Sequence, residues 1–260
     1  MKRLLIGTNL KMYKGIAETI AYLSELITLT SALKNDLELF VIPSYTSLDR
    51  SHQITCDSHI RLGAQNMYPA LEGQFTGEIS PRMLKEVGVS IIEIGHSERR
   101  HVLGENDQFL NKKVLTAVEQ NFTALLCVGE TAEQKSFGIS DEILKIQLAI
   151  GLKDIKPEQL NQVWIAYEPV WAIGVGGVPA DPDYVELRHQ TIQNKIREMF
   201  GPIQIPVLYG GSVNPSNAEG LLSRRFVDGL FVGRAAWEAK KFTKLINQIL
   251  PIWKGKNEHE

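Results

Sequence analysis

Eight apolar runs of strand length recur along this chain, at residues 4–7, 37–42, 60–64, 89–94, 124–128, 163–167, 205–209 and 229–232. Segments of helical period lie between them, with Ile16, Ile20, Leu23, Leu26 and Ile27 in the first gap and Ile143, Ile146, Leu148 and Ile150 in the fifth. Short continuous apolar strands alternating with helices imply parallel strands buried on both faces. Eight such units predict an α/β fold, a single (β/α)8 barrel over residues 1–250, rather than an open doubly wound sheet with its five or six strands. No linker, repeat or low-complexity segment divides the chain. Residues 251–260, containing Trp253-Lys254-Gly255-Lys256-Asn257-Glu258-His259-Glu260, read as a charged, poorly ordered tail.

Charge narrows the partner. The 28 basic and 30 acidic residues nearly cancel, which argues against nucleic acid or an anionic membrane, so an anionic ligand must be met by local groups. That points to a small molecule. Cys56 and Cys127 are too few for a disulfide framework and show no metal-ligand spacing, so a cytoplasmic protein without metal or other cofactor is expected. Only three consecutive apolar residues precede Gly7, too few for a signal or membrane segment.

Barrel chemistry collects where strands end and loops begin. The first strand leads into Asn9-Leu10-Lys11, an amide and an ammonium at the barrel mouth, although any one lysine is ordinarily a solvated surface residue. The fourth leads into Gly95-His96-Ser97-Glu98. His96 there sits at or near a helix N-terminus, where the dipole and free amides disfavour a protonated imidazole. A lone histidine is more often structural; one at a barrel-strand end, opposite a glutamate at another, is a candidate for catalysis.

That glutamate is Glu168, at the end of the sixth run and ahead of Pro169-Val170-Trp171-Ala172-Ile173-Gly174-Val175-Gly176-Gly177. Proline disfavours helix for the residue before it, and the glycines admit backbone angles closed to other residues. The acid is held while the segment after it can move. With Val170, Trp171 and Ile173 as an apolar inner surface, the stretch reads as a hinged lid, the alternative being an ordinary connector with a solvated glutamate. Asp181-Pro182 then opens a helix. The seventh and eighth strands lead into Gly210-Gly211-Ser212 and Gly233-Arg234, adjacent glycine-rich exits that suit main-chain binding of phosphate.

These residues resemble the triosephosphate isomerase family. The motifs are Asn9-Leu10-Lys11-Met12, Gly63-Ala64-Gln65-Asn66, Phe75-Thr76-Gly77-Glu78-Ile79-Ser80, Gly95-His96-Ser97-Glu98-Arg99-Arg100, residues 166–174 and Tyr209-Gly210-Gly211-Ser212-Val213, in order over nearly the whole chain. The resemblance implies Glu168 as base, His96 as electrophile and Lys11 as the cation beside the substrate oxygens. It implies Asn9, Gly174, Ser212, Gly233 and Arg234 as substrate-binding residues, and Glu98, Cys127 and Phe231 as supporting ones. It further implies a homodimer, with Thr76 at the tip of a loop that enters the partner, and a short phosphorylated sugar interconverted through an enediolate.

Departures from the family pattern bear on substrate size. Arg234 stands where a second glycine is usual, Val175-Gly176-Gly177-Val178-Pro179 replaces the usual far hinge of the lid, Phe231 stands for a leucine and Tyr13 for an asparagine. Sequences with Gly-Arg-Ala-Ala-Trp look like the family's paralogues acting on tetrulose phosphates, L-erythrulose 1-phosphate or D-erythrulose 4-phosphate. Another phosphate-binding barrel enzyme, such as an epimerase, and a non-catalytic sugar-phosphate sensor are the remaining readings.

Overall fold

The computed structural model describes residues 2–174 and 176–257. Its strands are β1 (Leu4–Asn9), β2 (Leu37–Ile42), β3 (Ile60–Ala64), β4 (Ile91–Ile94), β5 (Thr123–Val128), β6 (Val163–Tyr167), β7 (Val207–Tyr209) and β8 (Gly229–Val232). They form a closed parallel barrel in sequence order, β8 pairing with β1 through Leu5 opposite Gly229 and Thr8 opposite Val232. The predicted (β/α)8 fold is the observed one. Two strands begin later than their apolar runs for local reasons. The Val89 amide bonds back to Leu84 in the preceding helix, and Pro206 has no N–H for the ladder, so β4 and β7 begin later.

Period-two alternation divides each strand between two cores. Leu5, Phe40, Ile42, Ile91, Leu125, Cys127, Trp164, Ala166, Leu208 and Phe231 fill the barrel, and the alternate positions pack against the helices. Phe40 lies across the interior because Gly7 has no side chain: a Cβ there would stand 2.4 Å from the ring. Phe231 and Trp164 pack on Phe40 with centroids 5.6 and 5.8 Å away. Each buried ring stabilises by about 1.5–3 kcal/mol, so the interior is a packed plug and the chemistry is confined to the mouth.

The helices follow the expected order with shifted faces. Helix Ile16–Thr30 buries Thr19, Tyr22, Leu23, Leu26 and Thr30 and leaves Ile16 exposed. Helix Ser140–Gly151 buries Leu144, Gln147, Leu148 and Gly151 rather than Ile146, because Gly151 permits close approach to Leu126, 2.8 Å from where a Cβ would be. Residues 16–33 are long and apolar enough to cross a membrane by length and composition, but here Leu23 and Leu26 are core residues of the barrel. Asp181 caps helix Pro182–Phe200 as predicted, accepting from the amides of Asp183 and Tyr184.

The disordered tail is corrected as far as Asn257. Helix Ala239–Asn257 continues through Pro251, and Trp253 is buried. The Trp253 indole donates to Lys2 O, and Lys256 Nζ donates to the carbonyls of Arg224 and Val227. Residues 258–260 lie outside the described residues.

Candidate active site

The inward parity that fills the barrel continues to its mouth, where it delivers Asn9, Glu93, Cys127 and Glu168 from β1, β4, β5 and the end of β6. Asn9 is fixed at both ends of its amide: Nδ2 donates to Glu93 Oε2 at 2.8 Å, and Oδ1 accepts from the Lys11 backbone at 2.6 Å. The Lys11 carbonyl accepts from Gln65 Nε2 at 2.7 Å. These bonds hold Lys11 at φ +52, a left-handed conformation that costs a residue with a side chain on the order of 1–3 kcal/mol. The strain aims the lysine into the mouth, where Nζ meets Glu98 Oε1 at 2.6 Å.

Gly95, at φ +74, turns the chain sharply out of β4 and makes His96 the N-cap of helix Ser97–His101. His96 Nδ1 accepts from the Glu98 amide at 3.2 Å. A nitrogen that accepts carries no proton, so the ring proton is on Nε2, which faces the Glu168 carboxylate with Oε1 3.8 Å away. Glu168 is 2% exposed, and its side chain accepts a long, 3.4 Å bond from the Ser97 amide. Gly210 makes room for it, since a Cβ there would sit 2.9 Å from Glu168 Cγ.

A cavity of about 460 Å³ opens over these groups, lined by Asn9, Lys11, His96, Glu98 and Glu168 and by Gly174, Ser212, Phe231, Gly233 and Arg234 from the other loops. The lid contributes Ala172, Ile173 and Gly174. Its expected inner surface is corrected at Trp171, which turns outward: the indole donates to the buried Glu130 carboxylate at 2.9 Å, beside the Tyr167 and Tyr184 hydroxyls that donate to the same group. The lid is thus anchored at its first hinge, with Val170 N–H also donating to Glu130 O. Val175 lies outside the described residues. Arg234 is exposed at the pocket edge and pairs with no carboxylate among the described residues; its guanidinium donates to the Gly174 carbonyl at 3.0 Å.

Cys127 and Glu93 lie beneath. Burial, then Glu168 and Glu93, push the Cys127 thiol well above its usual range, so it is a neutral neighbour. Among the described residues, Glu93, His96 and Glu168 bring ligand atoms within 4.8 Å of one another, a cluster that linear spacing could not show. Burial and the Glu168 charge raise the Glu93 carboxyl well above the carboxylate range, against the opposing influence of Lys11 and Asn9. A protonated acid already bonded to an amide suits proton chemistry better than cation ligation.

A family comparison bears on this arrangement: the model for triosephosphate isomerase matches residues 4–249. The chain belongs to the triosephosphate isomerase family. It is therefore an isomerase. Among its relatives, an L-erythrulose-1-phosphate isomerase of Rhizobium etli is 38% identical over 94% of this chain and 91% of its own. A triosephosphate isomerase of Fusobacterium nucleatum subsp. nucleatum is 40% identical over 95% of this chain and 98% of its own. An L-erythrulose-1-phosphate isomerase of Rhizobium rhizogenes is 39% identical over 96% of each chain. Every residue that the family resemblance named for the pocket chemistry lines the cavity, apart from Cys127 beneath it and Thr76, which is exposed on the long loop after β3. Glu93, Glu130 and Trp237, whose indole donates to Asn9 O at 2.9 Å, were not foreseen from the sequence. Glu93 had a signal, an acid on the inward parity of an otherwise apolar strand.

Proposed function

We propose that this family member interconverts an aldose and a ketose phosphate of three or four carbons through an enediolate. The reading is carried by Glu168 facing the protonated Nε2 of His96 across one cavity, with Lys11 at its rim. Glu168 removes the proton from the carbon beside the carbonyl, and His96 Nε2–H and the Lys11 ammonium stabilise the oxyanion that develops. Glu168, now protonated, returns the proton one carbon along while the hydroxyl proton passes from one substrate oxygen to the other by way of His96 Nε2, so a single base serves both carbon transfers. Main-chain amides of Gly174, Ser212, Gly233 and Arg234 hold the phosphate. Lid closure, for which this family is a standard example, dries the pocket and strengthens each charge interaction.

Glyceraldehyde 3-phosphate and dihydroxyacetone phosphate are the first pair. A tetrulose phosphate is the second reading, favoured by Arg234 at the pocket edge, where a guanidinium can add bidentate contacts to a longer substrate's phosphate. Purified enzyme offered glyceraldehyde 3-phosphate, L-erythrulose 1-phosphate and D-erythrulose 4-phosphate separates the two by kcat/KM. Turnover of none of them would sink the isomerase assignment to this substrate class.

The assembly belongs to the same proposal. The loops after β1, β3 and β4 expose Met12, Tyr13, Leu71, Phe75, Val102 and Leu103, more apolar surface than solvent favours on one end of a barrel. Beside them a depression of about 330 Å³, lined by Tyr68, Arg99 and Phe109 among others, can receive a loop such as the one bearing Thr76. A homodimer is expected by sedimentation at micromolar concentration, and Thr76→Arg should weaken it. A fully active monomer would remove the dimer from the account.

A further inference from the structure

Glu93 is unused by the chemistry described above, yet it is wholly buried directly beneath the site. An unpaired acid costs several kcal/mol in such a place, so its retention calls for an account. Its surroundings are polar on one side only. Asn9 faces it from the end of β1 and Lys11 from the loop that follows, Cys127 from β5 with Sγ 4.0 Å from Oε1, Glu168 from the end of β6, and His96 and Glu98 from beyond its own strand. β3, on its other flank, pairs with β4 through Gly63 and Ala64, and its one charged side chain, Arg61, is engaged by Glu38 and Thr123 instead.

The Asn9 amide has a donor end and an acceptor end, and the Lys11 backbone requires the acceptor. Only a strong acceptor at the other end prevents the amide from rotating. We propose that Glu93 is a positioning residue of the isomerase site: by accepting from Asn9 Nδ2 it fixes the amide whose Oδ1 holds the strained Lys11 backbone, and it places a second carboxyl beside the base. The proposal rests on the isomerase reading. Burial and the neighbouring Glu168 favour the neutral form of the Glu93 carboxyl; on the alkaline side, its ionisation would add a negative charge beneath the site and disfavour the enediolate.

Glu93→Leu and Glu93→Gln test this together with the side-chain amide resonance of Asn9 in the ligand-free enzyme. Leucine abolishes the acceptor, and kcat/KM should fall ~10-fold or more, since a misplacement of about 1 Å can cost about 100-fold. Glutamine keeps an acceptor oxygen and should retain most of the neutral-pH rate while losing the alkaline decline expected of the wild type. The Asn9 amide should be protected from exchange and shift on the alkaline side in the wild type, be protected without that shift in Glu93→Gln, and lose protection in Glu93→Leu. Wild-type turnover with an unperturbed Asn9 amide in Glu93→Leu overturns the proposal. So does a Glu93→Gln enzyme that keeps the wild-type pH profile and amide titration, which decides the matter if the leucine variant does not fold. The amide readout needs no substrate. If it behaves as expected while no sugar phosphate is turned over, the substrate reading fails and the positioning role stands.

Discussion

Glu168→Gln should lower kcat by at least ~100-fold while the affinity for substrate changes little, because positioned general-base catalysis contributes about 10²–10⁴. The amide still accepts from Ser97 N–H and still fits over Gly210, so the pocket is preserved and only the proton acceptor is lost. Glu168→Asp gives a loss of the same order for a different reason: the carboxylate is drawn back by one methylene, and a displacement of about 1 Å can cost about 100-fold. Steady-state kinetics on the preferred substrate, with KM and kcat separated, provides the check. Near-normal turnover in either variant would mean that another group takes the proton.

The second large effect belongs to Arg234. Replacing it by glycine should shift the ratio of kcat/KM between erythrulose phosphate and glyceraldehyde 3-phosphate toward the triose, by roughly tenfold to over a hundredfold, the equivalent of about 1.5 to 3 kcal/mol for a charge-assisted contact. The guanidinium lies at the pocket edge and is exposed, so in the empty enzyme its bond to the Gly174 carbonyl biases the lid only weakly. The full effect is expected only once the lid has excluded water. A wild-type preference for the triose phosphate that is unchanged in Arg234→Gly would assign this chain to the triose reaction and leave the arginine as a lid contact alone.

Strands were legible because the cause of a buried parallel strand, a short run apolar on both faces, is written directly in sequence. β2, β3, β6 and β8 begin and end where their runs do. Helix faces were less so: Ile16 and Ile146 fit a helical period but lie outside the buried stripe, whose direction is set by packing partners such as Leu126 against Gly151. In the site, Lys11, His96 and Glu168 each stand at a strand end, and position made them visible. Glu93 stands inside an apolar run, where a single acid is easily passed over, and its importance depends on Asn9, 84 residues away. Trp171 looked like the inner wall of a lid because its partner Glu130, 41 residues earlier, could not be paired with it from sequence.

The seam between β1 and β8 has a consequence for how activity arises during synthesis. Asn9 is made among the first residues, but its carbonyl is bonded by Trp237, its strand is flanked by β8, and Lys2 waits for Asp228 and Trp253. Contacts of such long sequence separation form late, after the intervening chain is in place. A nascent chain still on the ribosome therefore carries the three side chains proposed for the chemistry, Lys11, His96 and Glu168, long before they share a cavity. Turnover begins only when the barrel shuts, so catalysis reports on completed closure, and a chain interrupted before its eighth strand is silent instead of partly active.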